Sequence, residues 1–210
     1  MKIIAFMRLQ KITLLLFFFL AGVLVQAQSF HRGMLMFSGG VDFAVYTVTT
    51  NDPLHDIRTS SDAKSRIYPF GVELAMSENL GFGAEFRSNV FYQPKDTSVM
   101  RHKDYCLFVN YHFLREERFN FFLGLKYGVT DLHYTDSRTK FFFDAQGGQF
   151  QFQGGFNFFL TRSLGLQLHG GFNHLHYPKG KIIDPVADKE SRYKIYLNGG
   201  TAGISLLLKL

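Results

Sequence analysis

The side chains best equipped for chemistry are histidines. His174-Leu175-His176 sets two imidazoles at i and i+2, the spacing that puts both on one face of a β-strand, where they could share a metal ion. His133 and His102 are candidates to complete such a site. No carboxylate accompanies them at a fixed spacing, and a lone histidine pair is a nonspecific signal. The sequence therefore predicts no metal and no cofactor. Lipid hydrolysis at a membrane surface calls for a histidine and a serine on one face of the wall. His174 is followed two residues later by His176, and no serine sits in a nucleophile elbow. The sequence thus predicts no catalytic residue and no enzyme.

A second group of reactive side chains is Asp42, Glu73, Glu85, Arg87, Lys126 and His169, with Gln151, Gln153, Gln167 and Asn173. They lie scattered along the chain among apolar neighbours. Counted along their segments, Asp42, Arg87 and Lys126 share one level, and Glu73, Glu85 and His169 fall about two residues lower. Opposite signs at matching heights predict a polar, ion-paired interior. The alternative use of such a set is a proton path or a narrow solute channel. The single Cys106 excludes an internal disulfide and a cysteine metal cluster. The doublets Gly39-Gly40, Gly154-Gly155, Gly170-Gly171 and Gly199-Gly200 lie inside segments rather than in a phosphate-cradling loop, where glycine permits bending.

The elements that must position these residues are strands. The chain has 25 Phe, 10 Tyr and 20 Gly, but no Trp and only 5 Pro, a composition suited to pleated, half-buried surfaces. Alternation with period two recurs. Its clearest case is Phe150, Phe152, Gly154, Phe156 and Phe158 on one face, with Gln149, Gln151, Gln153 and Asn157 on the other. Eight such segments are predicted, near 34–48, 66–77, 80–92, 103–114, 118–134, 148–160, 164–177 and 193–209. Short connections at Ser77-Glu78-Asn79, Arg115-Glu116-Glu117 and Thr161-Arg162-Ser163 alternate with longer ones, near 49–65, 93–102, 135–147 and 178–192. An up-and-down barrel would collect all the long loops at one end. Outward faces then carry residues such as Phe82, Phe86, Leu107, Val109, Leu123, Leu125 and Leu168, with Tyr92, Tyr105, Tyr127 and Tyr177 as interfacial girdles. Lipid supplies no hydrogen bonds to a bare sheet edge, so such a sheet must close.

Residues 1–27 read as a cleavable secretory leader. Lys2, Arg8 and Lys11 precede the apolar run Ile12 to Val25, and Val25-Gln26-Ala27 offers a cleavage site. The formal charge of +6 includes those three cations; without them 20 basic residues face 17 acidic ones. That balance gives no reason to expect nucleic acid as a partner.

The leader, the sorted connections and the last segment together resemble the small eight-stranded outer-membrane β-barrels, the porin-like outer membrane protein beta-barrel domains. Thr201-Ala202-Gly203-Ile204-Ser205-Leu206-Leu207-Leu208 is similar to their C-terminal assembly signal. The resemblance covers residues 28–210. It implies an all-β, eight-stranded antiparallel up-and-down transmembrane β-barrel, inserted in the outer membrane of a Gram-negative cell by the barrel assembly machinery. Its partners would be outer-membrane lipid and an extracellular surface ligand. The function expected is a non-enzymatic scaffold presenting loops such as that around Asp188, Lys189, Glu190 and Arg192. Narrow passage of a small solute is the alternative, and a lipid-modifying hydrolase is the third.

Overall fold

A computed structural model describes residues 30–52, 57–92, 98–113, 116, 118–136, 141–184 and 189–210. Residues 1–27, where a leader is expected, lie outside the described residues, as do Pro53, Pro185 and Asp188 of the expected loops. Eight strands run in chain order: β1 (Leu35–Asp52), β2 (Ile57–Ala75), β3 (Leu80–Phe91), β4 (Ser98–Phe113), β5 (Phe119–Asp136), β6 (Phe141–Phe159), β7 (Leu164–Asp184) and β8 (Lys189–Lys209). Each pairs antiparallel with the next, and β1 pairs with β8, so the sheet is a closed barrel without a free edge.

The alternation seen in the sequence now has a geometric meaning. On β5, Phe121, Leu123, Leu125, Tyr127 and Val129 point outward and are exposed, while Phe122, Lys126 and Thr130 are buried inside. Every strand contributes exposed apolar residues, from Phe43 on β1 to Leu206 on β8. Tyr127 is 70% exposed and Leu107 57%. An apolar belt encircling the molecule is far larger than the patch a soluble monomer exposes, so its natural solvent is lipid. No helix among the described residues is long and apolar enough to cross a membrane; the crossing elements are strands.

The short connections are tight turns built on side-chain hydroxyls. Ser77 Oγ accepts from the Leu80 amide at 3.0 Å, and Thr161 Oγ1 accepts from the Leu164 amide at 2.9 Å. Both occupy the same place in their turns, with the backbone bonds Met76 N–H to Leu80 O and Leu160 N–H to Leu164 O closing each one at 2.8 and 2.9 Å. Glu116 N–H donates to Phe119 O at the third turn.

The opposite end differs from the expectation of long loops. β1 and β2 stay in register up to Asp52↔Ile57, β4 and β5 up to Ser98↔Asp136, and β7 and β8 up to Asp184↔Lys189. Most residues expected in loops are therefore strand, and the barrel wall continues beyond the apolar belt as paired hairpins. The strands reach 21 residues, against the roughly 9–11 that cross a hydrocarbon layer. The period-two signal fades there because above the belt the outward face turns polar, while the inward face mixes polar residues with apolar ones such as Phe143 and Ala145. Bulges between Gln146 and Gly148 on β6, and between Tyr177 and Gly180 on β7, bend this upper wall.

Closure depends on close approach at the β1–β8 seam. A Cβ at Gly199 would lie 2.0 Å from the Val45 carbonyl oxygen and 2.8 Å from Tyr46 Cα. Both atoms are backbone, so the strands themselves would have to part. Gly199→Ala is expected to lower stability by about 1–3 kcal/mol through overpacking. Loss of the fast-migrating, heat-modifiable gel band at a lower temperature than wild type would report it, and an unchanged transition would count against so tight a seam.

Candidate functional site

The lumen is layered. At the short-turn end, Phe30 enters the barrel and stacks on His112, with ring centroids 3.7 Å apart. Gly33, at φ 84°, turns the chain there, and its amide donates to Ala75 O at 2.8 Å. Phe30, Met34, Met36, Ala75, Phe159 and Leu207 form a buried apolar plug, with the Lys209 ammonium 4.5 Å from the centre of the Phe159 ring. The loop-side end is closed by a second apolar cluster that includes Phe91, Leu132, Phe143, Leu175, Tyr177 and Leu197.

Polar side chains fill the space between. Lys126 Nζ donates to both Glu85 oxygens, at 2.6 and 2.7 Å. Arg87 lies 3.7 Å from Glu85 and 3.8 Å from Asp42, and its Nη1 donates to Gln151 Oε1 at 2.8 Å. His169 Nε2 meets Asp42 Oδ1 at 2.9 Å. Asp42, Glu85, Arg87, Lys126 and His169 are thus brought together.

Glu73 is not with them. Its Oε1 faces His112 Nε2 at 2.8 Å, and its Oε2 accepts from Asn110 Nδ2 at 3.0 Å. His112 Nδ1 faces Asn120 Oδ1 at 3.0 Å, and Gln153 donates to Asn110 at 2.9 Å. This is a separate network, one layer nearer the short turns.

A third group lies on the loop side of Arg87. Asp104 is directly opposite Arg87 in the β3–β4 register. It accepts from Asn89 Nδ2 at 3.1 Å and faces His102 Nε2 at 2.6 Å. His102 also contacts Asn89 and Thr130, and Thr130 shares a 3.0 Å hydrogen bond with the Tyr177 hydroxyl. Two expectations are corrected here. His102 is a buried β4 residue rather than a loop residue, because β4 begins at Ser98. Tyr177 is buried and faces the lumen rather than the lipid interface, since it shares the parity of Asn173 and Leu175. Strand parity alone could have placed Tyr177 inside, and likewise Asp104, Asn110 and His112. Nothing in the sequence marks them as partners of the acidic residues.

The four histidines weighed as metal ligands do not converge. His174 is exposed and bonds Asn198 at 2.6 Å, His176 stacks on Tyr196, His133 pairs with Asp144 on the outside, and His102 is inside. No cluster of three or more ligating side chains occurs among the described residues.

The outer face has its own polar feature. Above the belt, outward positions turn from Tyr105 to Lys103 and Arg101 on β4, and from Val129 to Asp131 and His133 on β5. Arg101, Lys103, Tyr105, Asp131, His133 and Asp144 border a groove of about 830 Å³ at the height of the two bulges.

Among solved structures, the chain is similar to the outer membrane protein OprG from Pseudomonas aeruginosa, with a TM-score of 0.60 at 13% identity over 89% of this chain and 99% of that one. The chain has the fold of the outer-membrane β-barrels. The barrel is also similar to outer membrane protein AlkL, solved in lipid bilayers, with a TM-score of 0.52, 16% identity, and 89% and 94% coverage. Against the outer membrane protease OmpT from Escherichia coli the TM-score is 0.53 at 8% identity, covering 85% of the barrel's chain and 97% of OmpT. No protein-family model matches the chain, and no curated protein matches its sequence. At these identities the likeness concerns architecture, which many unrelated activities share.

Proposed function

We propose that this barrel is an integral outer-membrane protein of a Gram-negative cell, delivered with a cleaved leader and inserted by the barrel assembly machinery. Its short turns would face the periplasm and its overhanging hairpins the exterior. It serves as a scaffold that works through its outer wall and rim, presenting them to a surface ligand. The observation that carries this reading is the filling of the interior. Polar layers bonded side chain to side chain sit between an apolar plug at one end and an apolar cluster at the other. Eight strands leave an interior that side chains can just fill, and these side chains fill it.

Passage of a small solute fits that interior less well. Purified barrel reconstituted in planar bilayers is expected to show no steady open conductance. A stable unitary current, reproduced between preparations, would overturn the scaffold reading and favour the pore. One of the three similar structures is a protease, so the fold itself sets no bar to catalysis.

A further inference from the structure

At the hairpin end of the apolar belt, the outward face of β2, β3 and β4 changes character over two steps. Register aligns Phe70, Phe86 and Tyr105 across these strands as the top of the belt. The next row up is Tyr68, Ser88 and Lys103, and the row above that is Arg66, Val90 and Arg101. Arg66, Arg101 and Lys103 are all exposed. Arg66 and Arg101 flank Val90 from the strands on either side, so their backbones are roughly 10 Å apart. Side chains of that length can both reach the space over Val90 and Ser88.

Arg66 is held in place. Its guanidinium lies 5.8 Å from the centre of the Phe43 ring and 5.6 Å from that of Tyr92. A guanidinium set against two rings keeps its planar fork of donors ordered. The residues opposite Arg66 are Phe43 and Val90, and those opposite Arg101 are Val90 and His133. None of these is acidic. Lys103 differs, because it stands opposite Asp131 and shares its charge with it. Two cations on either side of an apolar residue create a local positive potential that draws an anion.

Height selects the kind of anion. Two rows are four residues, which on a tilted strand is a rise of roughly 10 Å. The polar layer of a bilayer extends about 5–8 Å beyond the hydrocarbon on each side, within reach of an arginine that bends toward the belt. Below the cations, Ala84 is the small outward residue between Val72 and Leu107. Phe86 packs against Tyr105, with ring centroids 5.3 Å apart. These two features leave a furrow along β3 for an acyl chain, which an anion free in solution would not use.

We propose that Arg66 and Arg101, with Lys103 at their flank, bind the phosphate head group of one anionic acyl lipid of the outer leaflet, with an acyl chain lying along β3. This deepens the scaffold reading, on which it rests, by naming the chemistry of a ligand for the outer wall. The guanidiniums donate hydrogen bonds to the phosphate oxygens. Ser88 and Tyr68, one row lower, offer hydroxyls to the ester carbonyls beneath the phosphate.

The test uses the full mature chain folded in detergent, with bound lipid counted by native mass spectrometry. The probes are phosphatidic acid, phosphatidylcholine with the same acyl chains, and inorganic phosphate as competitor. Phosphatidic acid should stay bound, phosphatidylcholine should not, and millimolar inorganic phosphate should not displace the lipid. The double variant Arg66→Gln with Arg101→Gln is expected to bind phosphatidic acid about 10-fold more weakly or worse, the scale of hydrogen bonds to a charged group. Arg162→Gln removes an exposed cation at the short-turn end and should leave binding unchanged. All three positions are exposed, so heat-modifiable migration should match wild type. Equal retention of phosphatidylcholine, undiminished binding in the double variant, an equal loss in Arg162→Gln, or displacement by inorganic phosphate would each overturn the site. A heat-modifiable barrel that holds no phosphatidic acid overturns it and leaves the scaffold reading standing. A chain that never gains heat-modifiable migration overturns both.

Discussion

Arg87→Met is expected to destabilise the barrel by about 3–5 kcal/mol, the cost of stranding buried charges after one partner is removed. Arg87 is only 1% exposed. It sits between Asp42 at 3.8 Å and Glu85 at 3.7 Å, with Asp104 across the strand pair. Without it, Glu85 keeps the Lys126 ammonium, while Asp42 and Asp104 keep only the imidazoles of His169 and His102 as partners that can carry positive charge. The bond from Nη1 to Gln151 is lost as well. Methionine replaces most of the volume, so the loss reports charge rather than a cavity. Arg87→Lys should fall between, because a compact ammonium keeps the charge but not the planar fork that reaches several acceptors. Reversible urea unfolding in lipid vesicles gives the free energies by linear extrapolation. The chain has no Trp, so circular dichroism rather than indole fluorescence follows the transition. A loss under about 1 kcal/mol for Arg87→Met would mean the interior is wet enough to solvate its charges, against the filled lumen described above.

Leu125→Arg should cost about 2–4 kcal/mol in the same measurement, the penalty for a cation facing lipid near the midplane. Leu125 is half exposed, and its register neighbours Val109 and Phe152 are exposed apolar residues too. The next residue, Lys126, is a buried cation that the barrel accommodates. Two adjacent positions thus differ in their tolerance of positive charge because the pleat sends one to lipid and the other to the lumen. Asp131→Arg, on the same outward face but above the belt, should be nearly neutral, since the penalty falls away toward the interface. If Leu125→Arg were as harmless as Asp131→Arg, the exposed apolar belt would not be a lipid-facing surface.

Much of the lumen was legible in the sequence. Parity assigns Asp42, Glu85, Arg87, Lys126 and His169 to the inside, and height along the segments puts them near one another. The partnership of Glu73 was not legible. It pairs with His112, two strands away across the wall, because tilt and stagger decide which inward residues meet. The pairing of His133 with Asp144 on the outer wall is not legible either, for a related reason. Asp144 falls within the stretch expected to be loop. Only the continued β5–β6 ladder puts it beside His133.

The sequence by itself determined a β-only chain of eight segments and the face of nearly every residue, because a pleat with period two writes its two solvents directly into the order of side chains. It also determined that the ends of the hairpins would differ, since the connections are sorted by length. The tertiary structure alone decided the depth of each residue and its partners across the lumen. It turned the expected loops into wall, placed Phe30 on His112 as a plug, and drew Tyr177 and His102 inside. Those features depend on register and shear around a closed cylinder. Closure is a property of all eight strands together, so no local stretch of sequence encodes it.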